Sequence, residues 1–232
     1  MNFLKRKYAK KLKFEMQRPD FLDVVPAKTM IPKWFKDTPA KTYDPNPFRS
    51  VTGKACMPFL DSFTTGYTIL LPVDIMVTPN AEGGLTFGQS DTSIHIISTR
   101  DPKAMPLLPI PKEYDQGHHI WSTPCALELP SGYSMLVTHP INRMDLPFTT
   151  LSGVIDDFKM SQGSLPVMIK KGFAGLIPAG TPIAQIIPFK REDWVIKNEP
   201  GLLTEAQKYG QRARNTLVGY YKHTFWKKKN YN

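Results

Sequence analysis

Arg143 and Asp156 have the side-chain types that bind or attack a phosphate. A guanidinium binds phosphate through a planar fork of donors, and a carboxylate can take a proton from water. Arg143 could equally pair with Asp145 or Asp156 and only fix a turn, and the sequence leaves both roles open. Asp156 ends the run Gly-Val-Ile-Asp, and Gln185 ends the run Gly-Thr-Pro-Ile-Ala-Gln 29 residues later. The candidate chemistry therefore depends on the elements that carry these two runs.

The segments around these runs predict short buried strands. Residues 165–169 and 183–188 are apolar runs of strand length, and turn residues bound them. Further apolar runs precede them at 65–72, 74–78, 93–98, 121–129 and 133–139. Glycine allows positive φ, and proline fixes φ and removes a donor. Tight reversals are therefore predicted between 169 and 183, at Gly172, Gly175, Pro178, Gly180 and Pro182.

Residues 153–156 and 180–185 resemble the third and fourth motifs of the trimeric deoxyuridine triphosphatases (dUTPases) and deoxycytidine triphosphate deaminases. The resemblance covers residues 151–189. It implies a mainly β fold, namely a distorted β-barrel of jelly-roll type, and an assembly of three subunits. It indicates a fold more firmly than an activity.

The same resemblance implies a nucleotide site. In an active dUTPase of this pattern, Asp156 would orient or deprotonate the water that attacks phosphorus, with Mg²⁺ as cofactor. Arg143 and Lys159 would then contact phosphate, Phe158 would lie near the sugar, and Gln185 belongs to the fourth motif.

Several residues depart from the family pattern. Thr68 stands where a magnesium-linked aspartate is expected, and a hydroxyl does not supply that negative charge. Lys159 replaces an aromatic residue, while Phe158 comes one position early. Pro166 falls near the position of the deaminase glutamate. We therefore expect a non-catalytic protein without a cofactor. The alternative is a nucleotide-binding protein, or a dUTP or dCTP hydrolase that uses the third-motif aspartate as its base.

The charge is strongly positive, with 30 Lys and Arg against 20 Asp and Glu. Lysines and arginines crowd residues 5–13 and 222–229, where they predict attraction to nucleic acid or to acidic protein surfaces. The alternative at both ends is a solvated helix face or a flexible tail.

No metal site and no membrane segment are predicted. Cys56 and Cys125 lack metal-ligand spacing, and two cysteines favour a reduced intracellular setting. His118 and His119 are neighbours and would point to opposite faces of a strand. A run of about 18 apolar residues does not occur.

Four regions are predicted along the chain. Residues 1–17 predict a basic helix, 18–60 an extended proline-rich arm, 61–190 the β-barrel, and 191–232 a helical basic tail. Trp34 and Phe35 are predicted to anchor the arm, either on a partner or within the chain.

The whole chain also resembles a family of proteins from tailed bacteriophages and some bacteria whose mechanism is not established. Residues 31–35, 56–61 and 139–143 carry this second resemblance. It implies a virion or accessory protein that forms a homotrimer, contacts other phage proteins and resides in the virion or the host cytoplasm.

Overall fold

Strands account for most of the regular structure in the described residues. The computed structural model describes residues 9–45, 51–156, 163–216 and 219–232. The predicted mainly β class is confirmed.

Two compact units are present: Met1–Pro26 with Gly66–Arg191, and Ala27–Thr65 with Glu192–Asn232. The strands of the first unit are β1 Lys13–Met16, β2 Val24–Pro26, β3 Tyr67–Leu70, β4 Ile75–Pro79, β5 Leu85–Gln89, β6 Ile97–Arg100, β7 His118–Ser122, β8 Cys125–Glu128, β9 Tyr133–Thr138, β10 Phe148–Thr150, β11 Gly153–Ile155, β12 Ser164–Ile169, β13 Gly175–Ile177 and β14 Pro182–Lys190.

Antiparallel pairing joins these strands into four sheets. A five-stranded sheet has the order β11-β9-β14-β3-β2, and a four-stranded sheet has the order β10-β12-β7-β6. A three-stranded sheet has the order β13-β4-β5, and β1 pairs with β8. Neighbours in the five-stranded sheet are far apart in sequence, so long-range pairing assembles it.

Strand β14 is the central strand of the five-stranded sheet. It pairs with β9 on one side and with β3 on the other. Gln185 lies opposite Thr138 of β9 and opposite Thr68 of β3. The first five residues of β14 are all buried, which explains why its sequence is an apolar run instead of an alternating one. The central strand thus fixes the positions of both flanking strands.

The core of the first unit is mainly apolar, and a series of hydrogen bonds joins Trp121, Thr150 and Ile183 within it. Trp121 and Phe148 are fully buried and meet edge to face, 5.1 Å between ring centroids. The Trp121 Nε1–H donates to Thr150 Oγ1 at 3.2 Å, and that hydroxyl donates to the Ile183 carbonyl at 2.6 Å. Each large apolar side chain buried here contributes about 1.5–3 kcal/mol. The buried indole is therefore satisfied without water.

The predicted N-terminal helix is wrong over Lys13–Met16, which form β1. This strand pairs with β8, and Lys13 Nζ lies 3.1 Å from Glu128 Oε1 across the pair. Leu12 and Met16 both pack against the core. A spacing of four residues places two side chains on one side of a strand as well as of a helix, so the apolar pattern fitted both. Residues 1–8 lie outside the described residues.

The second unit carries the helices. They are α1 Lys33–Asp37, α2 Met57–Thr64, α3 Leu202–Asn215 and α4 Tyr220–Thr224. The predicted extended arm at 18–60 is therefore partly helical. Pro58 lies in the first turn of α2, where its missing N–H costs nothing. Within the described residues, each helix is too short or too polar to span a membrane.

Trp34 and Phe35 belong to an aromatic cluster of the second unit. Phe35 is buried and lies 4.8 Å from Phe63 between ring centroids, and Phe59 packs beside both. Trp34 contacts the same rings but keeps 43% of its surface exposed. Packing within the chain therefore accounts for Phe35, while a partner contact of either residue stays a prediction.

Gly66 is required for the approach of β14. Its φ is +80°, and a Cβ there would lie 1.9 Å from the Ile186 carbonyl oxygen. Gly132 has the same φ but open space around the Cβ position.

We expect Gly132→Ala to cost about 1–2 kcal/mol of unfolding free energy, from the left-handed backbone alone. Gly66→Ala should cost clearly more, since the backbone of β14 must also move. Urea unfolding measures both, and equal costs would contradict the steric argument.

Candidate functional site

The candidate site is the turn at residues 139–146, which joins β9 to β10. His139 begins it and has a hydrogen bond at each ring nitrogen. Nε2 donates to the Arg143 carbonyl at 3.1 Å, and Nδ1 accepts the Thr150 N–H at 3.3 Å. Burial lowers the pKa of His139, and the nearby charges of Arg143 and Lys170 act in the same direction. Because Nδ1 accepts a hydrogen bond it carries no proton, which is the hydrogen-bonding pattern of a neutral ring.

Arg143 is engaged with Asp145 inside this turn. Its Nε lies 2.9 Å from Asp145 Oδ1, and its Nη2 lies 2.8 Å from Asp145 Oδ2. The Arg143 side chain is only 14% exposed. The hydrogen bond from Arg143 holds the pKa of the Asp145 carboxyl below its ordinary value. The sequence left two roles open for Arg143, phosphate binding and ion pairing within a turn. The structure contains the ion pair with Asp145.

Gln185 reaches the same turn from the central strand. Its side chain is buried, and Oε1 accepts the Ile141 N–H at 2.9 Å. Lys170 of the neighbouring segment donates to the Met144 carbonyl at 2.8 Å. Asn142 has a φ of +61°, a conformation that Asn adopts more readily than most residues. Side chains from two other segments therefore satisfy the backbone of this turn.

Asp156 lies beside the other end of β9. Its Oδ1 accepts the Ser134 hydroxyl at 2.7 Å and lies 3.6 Å from Arg191 Nη1. The Asp156 side chain is 67% exposed, so its interaction with Arg191 is weakened by solvent.

The structure does not bring Asp156 and the 139–146 turn together. Asp156 contacts Ser134, whereas Gln185 lies opposite Thr138 on the same strand. Four residues of strand separate Ser134 from Thr138, which corresponds to roughly 13 Å. A base must lie within hydrogen-bond reach, directly or through one water, of the proton that it removes. The predicted residues thus form two separate groups.

The other predicted site residues have separate positions. Phe158 and Lys159 lie outside the described residues. Thr68 is buried in β3, in register with Val25 of β2 and with the central strand. Among the residues that the structure describes, no group of three or more His, Cys, Asp or Glu side chains could hold a metal ion.

Asp74 and Asp91 are two further carboxylates of the first unit, and each has its own contacts. Asp74 Oδ1 accepts the Ala179 N–H at 2.7 Å. Asp91 accepts the Ser93 hydroxyl at 2.6 Å and the Ser93 N–H at 2.9 Å, and these bonds, together with Arg18, hold the pKa of its carboxyl below its ordinary value. Both residues therefore fix loops of the first unit.

The roles of His119 and His139 in organising the structure around them were not predicted from the sequence. His119 is buried between Asp115 Oδ1, 2.8 Å from Nε2, and Thr99 Oγ1, 3.0 Å from Nδ1. The spacing of Asp115 and His119 was visible, but their contact forms only when β7 pairs with β6 and the preceding loop folds over it. His139 therefore holds backbone groups of its turn, whereas His119 joins two side chains, those of Asp115 and Thr99.

Comparison with known proteins identifies similar structures only. No protein-family model matches this chain, and no curated protein matches it. An aspartate-to-alanine mutant of the Staphylococcus bacteriophage 80alpha dUTPase with dUpNHpp is 10% identical, with 82% of this chain and 97% of that chain covered and a TM-score of 0.36. A dUTPase mutant from phage phi11 of S. aureus is 9% identical, with the same coverage and TM-score. These enzymes belong to the family that the motifs resemble, but likeness at this level supports no conclusion about activity.

We expect the 139–146 turn to make stability depend on pH. The pKa of His139 is lowered by burial from its ordinary value of 6.5, so the unfolded chain takes up a proton at higher pH than the folded chain. The stability that His139 contributes is therefore complete above pH 6.5 and is lost as pH falls through the folded pKa. The loss is at most about 1.4 kcal/mol per pH unit. Urea unfolding between pH 7.5 and 5 measures it.

His139→Gln should flatten this pH dependence, whatever its effect on stability at pH 7.5. His95→Gln is the matched control, because His95 is exposed. An unchanged pH slope in His139→Gln would show that another group is responsible.

Proposed function

We propose that this chain is a non-catalytic β protein of bacteriophage type that acts by association, as a homotrimer and with other proteins of the particle. It would reside in the virion or in the host cytoplasm. The resemblance of residues 31–35, 56–61 and 139–143 to a tailed-phage family motivates the setting. The observation that carries the proposal is the commitment of Arg143 and Gln185 to the 139–146 turn.

A phosphate bound to the Nε and Nη2 fork of Arg143 would have to displace Asp145 from it. That step would strand a carboxylate that is partly buried and now has three hydrogen-bond contacts with the guanidinium. Removing one partner of such a pair costs more than the pair itself contributes, because the remaining charge stays desolvated. Gln185 is similarly engaged, since its oxygen satisfies the Ile141 N–H. These contacts favour a structural role for both residues.

The position of Asp156 supports the same reading. Its carboxylate contacts Ser134 and Arg191, at a distance of roughly 13 Å along β9 from the position opposite Gln185. A base for phosphate hydrolysis has to act on a water beside the bound phosphate. Within one chain, two separated groups do not supply that arrangement.

The exposed segment after β14 supports association. Trp194, Val195 and Ile196 are 86%, 92% and 100% exposed, and this stretch has no regular secondary structure. Exposed apolar runs of this kind mark contact surfaces. We assign a second copy of this chain as the occupant, in keeping with the homotrimer proposed above.

Nucleotide titration tests the absence of catalysis. With dUTP or dCTP and Mg²⁺, we expect neither binding heat nor product, and we expect Asp156→Asn to change neither. Arg143→Gln should instead lower the free energy of unfolding by about 1–3 kcal/mol, because Asp145 loses its partner. Arg100→Gln, at an exposed position, is the control. Turnover that Asp156→Asn abolishes would overturn the proposal.

Light scattering during size-exclusion chromatography tests the association. A trimer has a mass of about 79 kDa, three times the 26.3 kDa of one chain. The pair Val195→Ser and Ile196→Ser should shift the mass towards that of one chain. The pair Tyr43→Ser and Leu107→Ser is the control, because those side chains are 98% and 92% exposed. A monomeric wild type, or a trimer unaffected by the first pair, would contradict the contact proposed for residues 194–196.

A further inference from the structure

The C-terminal part of the second unit carries a concentrated positive charge that its own structure leaves largely unpaired. Residues 202–232 contain seven Lys and Arg and one acidic residue, Glu205. Lys229 pairs with Asp61. The other six have no ion-pair partner within the described ranges, and they are Lys208, Arg212, Arg214, Lys222, Lys227 and Lys228. This set of six is called the basic surface below.

Aromatic rings lie among these cations. Phe225 follows α4 and contacts three tyrosines: its ring centroid is 5.3 Å from that of Tyr209 and 6.2 Å from those of Tyr220 and Tyr221. Tyr221 and Phe225 remain 47% and 45% exposed. The Arg212 guanidinium lies over the Tyr209 ring, 5.9 Å from its centroid. Ring faces and cations are therefore presented together.

The C-terminal segment is fixed on the second unit and is not a free tail in this structure. Trp226 Nε1 donates to Asp61 Oδ2 of α2 at 2.9 Å, and Lys229 pairs with the same carboxylate. Lys28 Nζ donates to Asn232 Oδ1 at 2.6 Å. These contacts hold the aromatic rings and the neighbouring lysines in place before any ligand binds, which reduces the entropy lost on binding.

We propose that the basic surface with Tyr221 and Phe225 binds single-stranded nucleic acid. The unpaired cations complement the phosphate backbone, and half-exposed rings beside them allow bases to stack. An acidic protein would use the cations but would gain little from the rings. A duplex keeps its bases stacked on one another, so it also would use only the cations. This binding is independent of the association proposed for residues 194–196.

Fluorescence anisotropy of the full chain with a labelled oligothymidine of about 20 nucleotides tests the proposal, since an OB-type site covers about 4–16 nucleotides. If the basic surface neutralises four phosphates, its affinity for the oligothymidine should fall about 50-fold when the salt concentration is raised from 50 to 200 mM. The triple change Lys208→Gln, Arg212→Gln and Arg214→Gln should reduce affinity at low salt at least about tenfold. A matched control removes three exposed lysines of the first unit: Lys103→Gln, Lys112→Gln and Lys171→Gln.

Two substitutions of Tyr221 test whether the aromatic rings contribute to binding. Tyr221→Leu should lose about tenfold in affinity, and Tyr221→Phe should retain it, because stacking needs the ring and not the hydroxyl. Polyglutamate and duplex DNA of equal charge are the competitors, and anionic vesicles test a lipid surface. Equal loss of affinity in the test triple and the control triple, equal competition by polyglutamate or duplex, or no effect of Tyr221→Leu would overturn the proposal. Vesicle binding without oligothymidine binding would assign the surface to membranes instead.

Discussion

Strand β14 is buried over its first five residues and pairs on both sides, with β9 and with β3. Its position sets where the flanking strands lie and where Gln185 can reach. Gly66 permits the close approach of its carbonyl at Ile186, since any Cβ there would collide with that oxygen. The buried Thr150 hydroxyl bonds to the same strand at Ile183 and receives the Trp121 indole. Apolar burial and hydrogen bonding therefore depend on one central strand.

The 139–146 turn shows how that strand determines the chemistry nearby. Gln185, His139 and Lys170 satisfy backbone groups of the turn, and Arg143 pairs with Asp145. Each polar side chain is thus engaged with the protein itself. Residues with the right types for nucleotide binding are here used for local structure. Side-chain type alone therefore does not distinguish a ligand site from a well-satisfied turn.

The second unit combines a buried aromatic cluster with a helix that is mostly exposed along its length. Its aromatic cluster around Phe35 is buried, but α3 has no buried residue, and its cations face solvent. Asp61 anchors the C-terminal segment through Trp226 and Lys229. A helix that buries little of its own surface is stabilised mainly by what it contacts. The surface of this unit therefore fits contact with other molecules, whereas the first unit supplies the packed core.

The sequence determined the mainly β class, the C-terminal helix and the basic end, because apolar runs, turn residues and charge are local properties. It also indicated two roles for Arg143, and pairing with Asp145 was one of them. Only the tertiary structure decided that Lys13–Met16 form a strand, since a spacing of four suits both periodicities. Only the register of β9 decided that Asp156 and Gln185 lie far apart. Register depends on how the apolar residues of several strands meet across the sheet, so a single segment does not determine it.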